Sequence, residues 1–331
     1  MNADLRVAFW NVQNLFKPGT HKKGPATEDE LDAKLDVIAE GLNSLFDEAG
    51  PDLIGLAEIH TALILERLQR RLRGSYLPLF ERCYDSNWTG LAVLARTDRF
   101  ATLERLGAYR PYEMAMPRYL IARCCLDGVE EPIVLVVNHW RSRIVGDSVD
   151  AAAPAKERLK TAKELGRWLA TSVDDTCVIV VGDFNAEPFE EIFGDFGLPS
   201  VRHFSARLWR GPAPSCLYNT AWRFLPEPDP WEVVEAGGAG YQAHRPRTTF
   251  NASPPVIFDQ LLVSGRALSG GPITLRETSI AYPCQELISW QTSSGYRRPA
   301  PWIHDTNSKL GASDHFPVVA RFRMNGGKSD G

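Results

Sequence analysis

The feature that most constrains the fold is a set of short apolar runs, each of which ends in polar side chains. Such runs occupy residues 5–10, 53–57, 133–137 and 177–181. Short runs rich in Val, Ile and Leu are typical of buried β-strands. Further strand-like runs occupy residues 91–95, 119–125, 257–263 and 317–323. Because polar residues at strand ends gather at one edge of a sheet, we expect a functional site there.

Helical periodicity separates several of these runs. Apolar residues recur at three- and four-residue steps over residues 31–46, which indicates an amphipathic helix. Two further helices are expected at about residues 61–73 and 155–170. Many strands and few helices indicate one α/β domain built on two packed sheets. No repeat or change in composition marks a boundary, so this domain is expected to span residues 1–325, followed by a disordered tail at 326–331.

The charge balance limits the kinds of partner. The chain has 37 Lys and Arg against 41 Asp and Glu, a formal net charge of −4. Proteins that coat nucleic acid are usually basic, so a nucleic-acid contact must come from a local patch. The six cysteines show no zinc-binding spacing, and we expect a disulfide-free, cytoplasmic protein. No signal peptide is expected, and no run approaches the about 18 apolar residues of a membrane span, so no membrane partner is expected.

The strongest motif is Gly182-Asp183-Phe184-Asn185, which follows the apolar run 177–181. Alternate side chains of an extended backbone share a face, so Asp183 and Asn185 point at one spot. A carboxylate and a carboxamide placed in this way can hold a water by its proton and a phosphoryl oxygen by a hydrogen bond. The structural alternative is a turn that ends the strand.

Two other strand boundaries carry histidine. Asp314 and His315 precede the last strand and offer a hard oxygen ligand beside an imidazole. His139 ends the run 133–137 and its neighbours Arg141 and Arg143 suit an oxyanion substrate. The alternatives are an exposed turn for the first pair and a structural histidine with surface arginines for the second.

Four further polar residues complete the set. Glu58 closes an apolar strand and needs a partner, for which a cation is one option and a helix dipole another. Asn11 and Asn14 follow the first strand, and Asp259 lies within a late apolar strand. Taken singly, the asparagines are also typical of a turn, and Asp259 is also typical of an edge strand.

The order of these motifs resembles the endonuclease/exonuclease/phosphatase superfamily. An Asn at the first strand and a Glu at the second are followed by the segments N-H-W-R-S-R, G-D-F-N and a final S-D-H. The resemblance covers about residues 5–323. It implies a four-layer sandwich of two packed mixed β-sheets flanked by helices, and a Mg²⁺-dependent phosphoester hydrolase in which Mn²⁺ can substitute. The N-V-Q-N-L-F opening is similar to bacterial members described as generic nucleases.

The resemblance implies that Glu58, Asn11 and Asp314 hold the metal. Oxygen ligands without Cys or paired His agree with Mg²⁺ rather than Zn²⁺. Asn14 is expected to contact the substrate, as are Arg141 and Arg143.

The resemblance also assigns the acid–base residues. Asp183 positions or deprotonates the attacking water, and Asn185 binds a phosphoryl oxygen. His315 contacts the phosphate or transfers a proton, oriented by Asp259. His139 assists phosphate binding or protonates the leaving group.

Two departures from the family pattern stand out. Gln13 stands where many relatives carry an acid, and Pro117 stands near the place of a glutamate partner for the histidine of pancreatic-type enzymes. His139 is therefore expected to lack an acid partner.

Three functions are compatible with these residues. A phosphodiesterase acting on nucleic acid, with DNA cleavage foremost, is the main hypothesis. An enzyme acting on a small phosphorylated metabolite or lipid headgroup is the first alternative, and an inactive binding module is the second. Arginines 67, 70, 71 and 73 favour a nucleic acid, as do loops that mix aromatic and basic residues, namely Trp209, Arg210, Trp222, Arg223, Tyr296, Arg297, Arg298 and Trp302.

Overall fold

A computed structural model describes residues 4–83, 88–111, 116–143, 152–172, 176–195, 197–202, 216–225, 256–291, 297–302 and 311–325. The expected tail at 326–331 lies outside these residues, as do Trp209, Arg210 and Tyr296. The single-domain boundaries stay a prediction. In the described part of the chain, no helix is long and apolar enough to cross a membrane.

Two mixed sheets form the centre of the fold. The first contains β1 (Leu5–Leu15), β2 (Leu53–Ile59), β3 (Tyr76–Glu81), β4 (Gly90–Arg96), β12 (Ile273–Ala281) and β15 (Val318–Met324). Its strand order is β12-β15-β1-β2-β4-β3, and β1 runs parallel to β2 while the other neighbours are antiparallel.

The second sheet contains β5 (Phe100–Tyr109), β6 (Tyr119–Leu126), β7 (Ile133–His139), β8 (Cys177–Asp183), β9 (Ser200–Val201), β10 (Leu217–Asn219) and β11 (Asp259–Val263). Its order is β5-β6-β7-β8-β11-β10-β9, and β7 and β8 form its long parallel pair. A separate two-stranded ribbon joins β13 (Ser289–Gln291) to β14 (Arg297–Pro299).

Within the described ranges, three α-helices flank the sheets: α1 (Glu28–Asn43), α2 (Ala62–Gln69) and α3 (Ala152–Ser172). Thr27 caps α1 because its hydroxyl accepts a hydrogen bond from the Glu30 N–H. Thr61 caps α2 in the same way through the Ile64 N–H. Helix α2 ends earlier than the expected residue 73, because the chain turns at Arg71, whose N–H bonds the Leu68 carbonyl.

Side-chain alternation along the strands produces the layers. Val137 and Val181 point from the second sheet toward the first, where an added Cβ on Gly55 would lie 2.8 Å from Val137 Cγ2 and 3.3 Å from Val181 Cγ2. The opposite face of β1 carries Trp10, and α1 covers it where Gly41 approaches the indole. This placement puts one helical layer on the outside of the first sheet.

The second sheet is covered in the same manner. Val134 and Val178 point away from the first sheet and pack with Leu165 and Leu169 of α3. Helices therefore lie outside both sheets, and the expected four-layer α/β sandwich is confirmed.

Candidate active site

The ends of four strands bring the candidate residues to one edge of the sandwich. The parallel pair β1–β2 ends beside Asn11 and Glu58, and the parallel pair β7–β8 ends at His139 and Asp183. Antiparallel β11 begins at the same edge with Asp259.

The second sheet aligns three of these side chains in one row. Its register pairs His139 with Asp183, and Asp183 with Asp259. Residues paired across strands share a face, and this row continues the inward apolar stripe that includes Val137 and Val181. The site thus begins where the apolar interface between the sheets ends.

Glu58 reaches the same place through a local irregularity. Gly55 points inward, so strict alternation along β2 would turn Glu58 outward. Instead, the register between β2 and β4 shifts between Ala57 and Ile59, and Glu58 adopts a φ of +68°. This conformation is costly for a residue with a Cβ, by about 1–3 kcal/mol.

Similar strain marks other residues of the site. Gln13, Asn14 and Asn185 have φ values of 46°, 51° and 49°. With Glu58, they make up four of the seven non-glycine residues with positive φ in the described part of the chain. Strained backbone of this kind gathers where the surrounding structure fixes a functional geometry.

Asn11 links carboxylates from the two sheets. Its Nδ2 donates to Glu58 Oε1 at 3.1 Å and to Asp183 Oδ2 at 3.2 Å, while its Oδ1 accepts from the Gln13 N–H at 3.1 Å. The second oxygen of Glu58 accepts a hydrogen bond from the Asn14 N–H. Asn14 therefore supports Glu58 through its backbone.

Burial and neighbouring charge divide the acids into two kinds. Burial by itself raises the pKa of Glu58, but His139, the Asn14 N–H and His315 lower it to a value below the ordinary one. Burial raises the pKa of Asp183, and Asp259 raises it further, although both histidines oppose this change. Glu58 is thus a persistent anion, and Asp183 is a stronger proton acceptor than an ordinary aspartate.

The two histidines also differ. Burial lowers the pKa of His139, whose Nε2 lies 3.6 Å from Glu58 Oε1 and 3.8 Å from Asp183 Oδ2. Burial lowers the pKa of His315 as well, but Asp259 and Asp183 reverse the effect and raise it well above the ordinary value. His139 is therefore held neutral and His315 is held as an imidazolium.

No hydrogen-bond partner for His139 Nδ1 occurs among the described residues. The backbone N–H of His139 donates to the backbone carbonyl of Arg118. The buried guanidinium of Arg118 in turn pairs with Glu157 of α3 at 2.7 Å. The residue after Pro117 is thus a base, and not the glutamate that pancreatic-type enzymes carry near this place as a partner for the histidine.

Asn185 is fixed by its neighbours. Its N–H bonds Asp183 Oδ1 at 2.9 Å, and its side-chain Nδ2 donates to the Trp140 carbonyl at 3.1 Å. An amide nitrogen carries two donors, so one N–H of this group stays available for an oxygen ligand.

The donor set fits a hard divalent cation. Burial raises the pKa of Asp314, His315 opposes this change, and the charge of Glu58 adds to it, so the Glu58 and Asp314 carboxylates repel each other across the site. A divalent cation held by these two carboxylates would offset their repulsion. A second grouping, Asp183, Asp259 and His315, has ligand atoms within 4.8 Å of one another, but its histidine already bonds Asp259.

The predicted substrate-binding arginines lie beside the site in ion pairs. Arg143 donates to the Asn185 carbonyl at 2.9 Å, pairs with Glu190 and covers the Phe258 ring at 4.6 Å. Arg141 Nε lies 3.8 Å from Glu157 Oε2. Their role in substrate binding stays a prediction.

Two arginines of the segment 67–73 have partners on α1, whereas Arg70 pairs with Glu66 and Arg73 with Glu48, and a nucleic-acid role of this segment stays a prediction. Arg67 pairs with Glu28 and Asp32, and Arg71 pairs with Asp32 and Asp36. This face is an ion-pair network between two helices. The sequence interpretation overlooked it because the partners lie 35–39 residues away.

Lys34 is the residue that sequence reasoning missed. It lies on α1 near the site, is fully buried, and donates to the Gln13 carbonyl. Its position three residues after Leu31 and four before Ile38 places a lysine on the apolar face of the helix. That mismatch is the signal that would have identified it.

Several solved structures share the fold of this chain. The chain shows the same fold as zebrafish TDP2 complexed with single-strand DNA product, with 17% identity, a TM-score of 0.56, and coverage of 97% of this chain and 100% of that one. A mannosyl-6-phosphatase from Bacteroides thetaiotaomicron gives 14% identity, a TM-score of 0.55 and coverage of 96% and 99%. An endonuclease/exonuclease/phosphatase family protein from the same organism gives 15% identity and a TM-score of 0.54, with coverage of 97% of this chain and 95% of that one.

A search of curated protein sequences finds no match. The model of the Endonuclease/Exonuclease/phosphatase family matches residues 6–197, more than half of the chain. The chain therefore belongs to the endonuclease/exonuclease/phosphatase family and is a metal-dependent phosphoester hydrolase.

Proposed function

We propose that this protein is a Mg²⁺-dependent phosphodiesterase that cleaves nucleic acid by attack of an activated water. The observation that carries the proposal is the arrangement of Asp183 between His139 and His315, with Nε2 of each histidine 3.8 Å from Asp183 Oδ2. A proton acceptor, a neutral imidazole and an imidazolium thus face one small volume.

The residues divide the work of hydrolysis by their protonation. Asp183 accepts a proton from the attacking water, because its pKa is raised by burial. His315 donates a hydrogen bond or a proton from Nε2 to a phosphoryl oxygen, since Asp259 holds Nδ1. The free N–H of Asn185 binds another phosphoryl oxygen, and His139 assists at the leaving oxygen.

Glu58 and Asp314 would hold the magnesium ion, with Asn11 orienting Glu58. When bound, the ion neutralises charge that develops on the phosphoryl group and the leaving oxygen. The same Asn11 side chain also donates to Asp183, so one hydrogen-bonding group connects the proposed metal ligand Glu58 to the residue that activates the water.

A basic loop favours a nucleic acid over a small substrate. The segment between β1 and α1 carries three exposed lysines, Lys17, Lys22 and Lys23, none of which forms an ion pair with a described residue. Within this loop, burial, Lys23 and Lys22 lower the pKa of His21, whereas Glu58 raises it, so the loop and Glu58 interact electrostatically. The Lys17 N–H also bonds His60 Nδ1 at 3.0 Å, just after β2, so we expect a phosphate chain bound at Glu58 to reach these lysines.

The small-substrate alternative keeps some support. The net charge of −4 is unusual for a nuclease, and one protein of similar fold is a mannosyl-6-phosphatase. The zebrafish protein of similar fold was solved with single-strand DNA product, which supports the nucleic-acid hypothesis to a comparable degree. The basic loop decides our preference.

The test uses purified protein with Mg²⁺ on plasmid, single-stranded DNA, RNA and a small chromogenic phosphodiester. Lys22→Gln combined with Lys23→Gln is compared with Arg70→Gln combined with Arg73→Gln, which removes the same charge from the segment that follows α2. The nucleic-acid proposal expects the loop variant alone to weaken binding of polymer, with the salt slope of log K reduced by about one unit per lost phosphate contact. Cleavage of the small phosphodiester should not change. Equal effects of the loop variant on both substrates, or none on either, would favour a small substrate.

A further inference from the structure

Lys34 is a buried cation in an unusual place. Its side chain has no exposed surface, and it is the only lysine among the buried residues of the described chain. Its Nζ donates to the carbonyl of Gln13 and lies 5.4 Å from the centre of the Trp302 ring. An isolated ammonium in an apolar setting is very unfavourable, so its position must be supported by the site.

The charges around Lys34 explain why the fold tolerates a buried lysine at this position. Burial lowers its pKa from 10.5 to about 7, while Glu58 and Asp314 raise it. These are the two carboxylates assigned to the metal. The ammonium of Lys34 therefore interacts electrostatically with the two carboxylates that are proposed to hold the metal.

The hydrogen bond from Lys34 falls on a strained turn. Gln13 and Asn14 are consecutive residues with φ values of 46° and 51°, a conformation that asparagine tolerates and glutamine adopts rarely. From the other side, Gln13 Oε1 accepts a hydrogen bond from the Trp302 N–H at 2.8 Å. The turn is thus held through both its backbone and its side chain.

The turn has a direct consequence for Glu58. The peptide that joins Gln13 to Asn14 presents its carbonyl to Lys34 and its N–H to Glu58 Oε2. One rigid group therefore connects the lysine to the carboxylate. Rotation of that peptide would remove both hydrogen bonds together.

We propose that Lys34 is a positioning residue for the divalent cation, which it serves by fixing the Gln13–Asn14 peptide so that the Asn14 N–H orients Glu58. The proposal rests on the proposed role of Glu58 as a metal ligand. Groups that orient a ligand in this way typically change metal affinity by about 10- to 100-fold when they are removed. Lys34 is not expected to contact substrate.

The test measures Mn²⁺ binding directly by isothermal titration calorimetry on the full chain. Lys34→Met keeps the aliphatic stem but removes the donor, and Lys163→Met is the control because it makes the same change at an exposed position of α3. We expect the Kd for Mn²⁺ to rise by about 10- to 100-fold in Lys34→Met and to be unchanged in Lys163→Met. At saturating metal, kcat of Lys34→Met should return to within a few-fold of the unmodified protein.

A Kd for Mn²⁺ equal to that of the unmodified protein would overturn the proposal. A tighter Kd would also overturn it, since it would mean that the ammonium mainly repels the cation. If Lys34→Met does not fold, Lys34→Gln serves, because its shorter amide does not reach the Gln13 carbonyl, and the same expectations apply. Failure of the unmodified protein to bind Mn²⁺ would instead refute the metal assignment of Glu58.

Discussion

The imidazole of His315 and the carboxylate of Asp259 are joined by a 2.8 Å contact between Nδ1 and Oδ2, across 56 residues of sequence. Both residues are anchored through their backbones. The Asp259 carbonyl accepts from the Tyr282 hydroxyl at 2.6 Å, and the His315 carbonyl accepts from Trp10 Nε1 at 2.8 Å. The contact fixes the orientation of the ring and leaves His315 Nε2 facing Asp183.

The pH dependence of this pair is the first prediction. Burial lowers the pKa of His315, but Asp259 and Asp183 raise it well above 6.5. The contribution of this pair to the free energy of unfolding is therefore fully present below pH 6.5, where the histidine of the unfolded chain is also protonated. It is lost as pH rises through the pKa of His315 in the folded protein. Asp259→Asn should lower the pKa of His315 in an NMR titration.

Urea denaturation at several pH values checks the same linkage. The difference in unfolding free energy between the unmodified protein and Asp259→Asn should be largest near pH 6 and should shrink toward alkaline pH, an expectation that follows from the ordinary histidine pKa of about 6.5. A difference that grows with pH would show that the pair is not held as imidazolium and carboxylate.

The second prediction concerns the coupling of the pair in catalysis. Asp259→Asn and His315→Ala should each lower kcat/KM, and the double variant should resemble His315→Ala, because Asp259 acts through the imidazole. The measurement is a double-mutant cycle on kcat/KM. Additive losses would mean that the two residues act separately.

Asp183 provides the third prediction. Asp183→Asn keeps the size of the side chain and an oxygen that can accept from Asn11 or Asn185, but it removes the proton acceptor. We expect kcat to fall by about 10²- to 10⁴-fold with little change in circular dichroism. Turnover near that of the unmodified protein would remove Asp183 from the mechanism.

The fourth prediction is the effect of metal removal. Exhaustive dialysis against EDTA should abolish hydrolysis, because the partly buried carboxylates Glu58 and Asp314 then lack the cation that they are proposed to hold. Mg²⁺ or Mn²⁺ should restore activity, as hard cations suited to carboxylate oxygen. Full activity after dialysis, with metal content verified by elemental analysis, would contradict the proposed site.

The packing between the sheets gives the fifth prediction. A Cβ at Gly55 would lie 2.8 Å from Val137 Cγ2, so Gly55→Ala should lower the unfolding free energy by about 1–3 kcal/mol. Gly107→Ala is the control, because a Cβ on that strand would meet only Ile121 Cδ1 at 3.8 Å. An equal free energy of unfolding for the two variants in urea denaturation would show that the two sheets can move apart at Gly55 to accommodate a methyl group without loss of stability.

Sequence alone determined eight of the strands, the three helices and the row of polar strand ends. The alternation that buries Val137 and Val181 continues two residues further to His139 and Asp183, so local pattern places these side chains on the inner face. The motif order added the family. These inferences succeed because strand periodicity is a local property of the chain.

Tertiary structure alone decided which charges meet. Nothing local distinguishes Arg71, which is paired, from Lys22, which has no ion-pair partner in the described part of the chain, since pairing depends on where α1 lies beside α2. Glu58 faces the site only because of its positive φ, against the alternation of its strand. Lys34 is buried because the Gln13 turn and Trp302 cover it. Each is a long-range relationship, because the partners are distant in sequence and are brought together only when the sheets and helices pack.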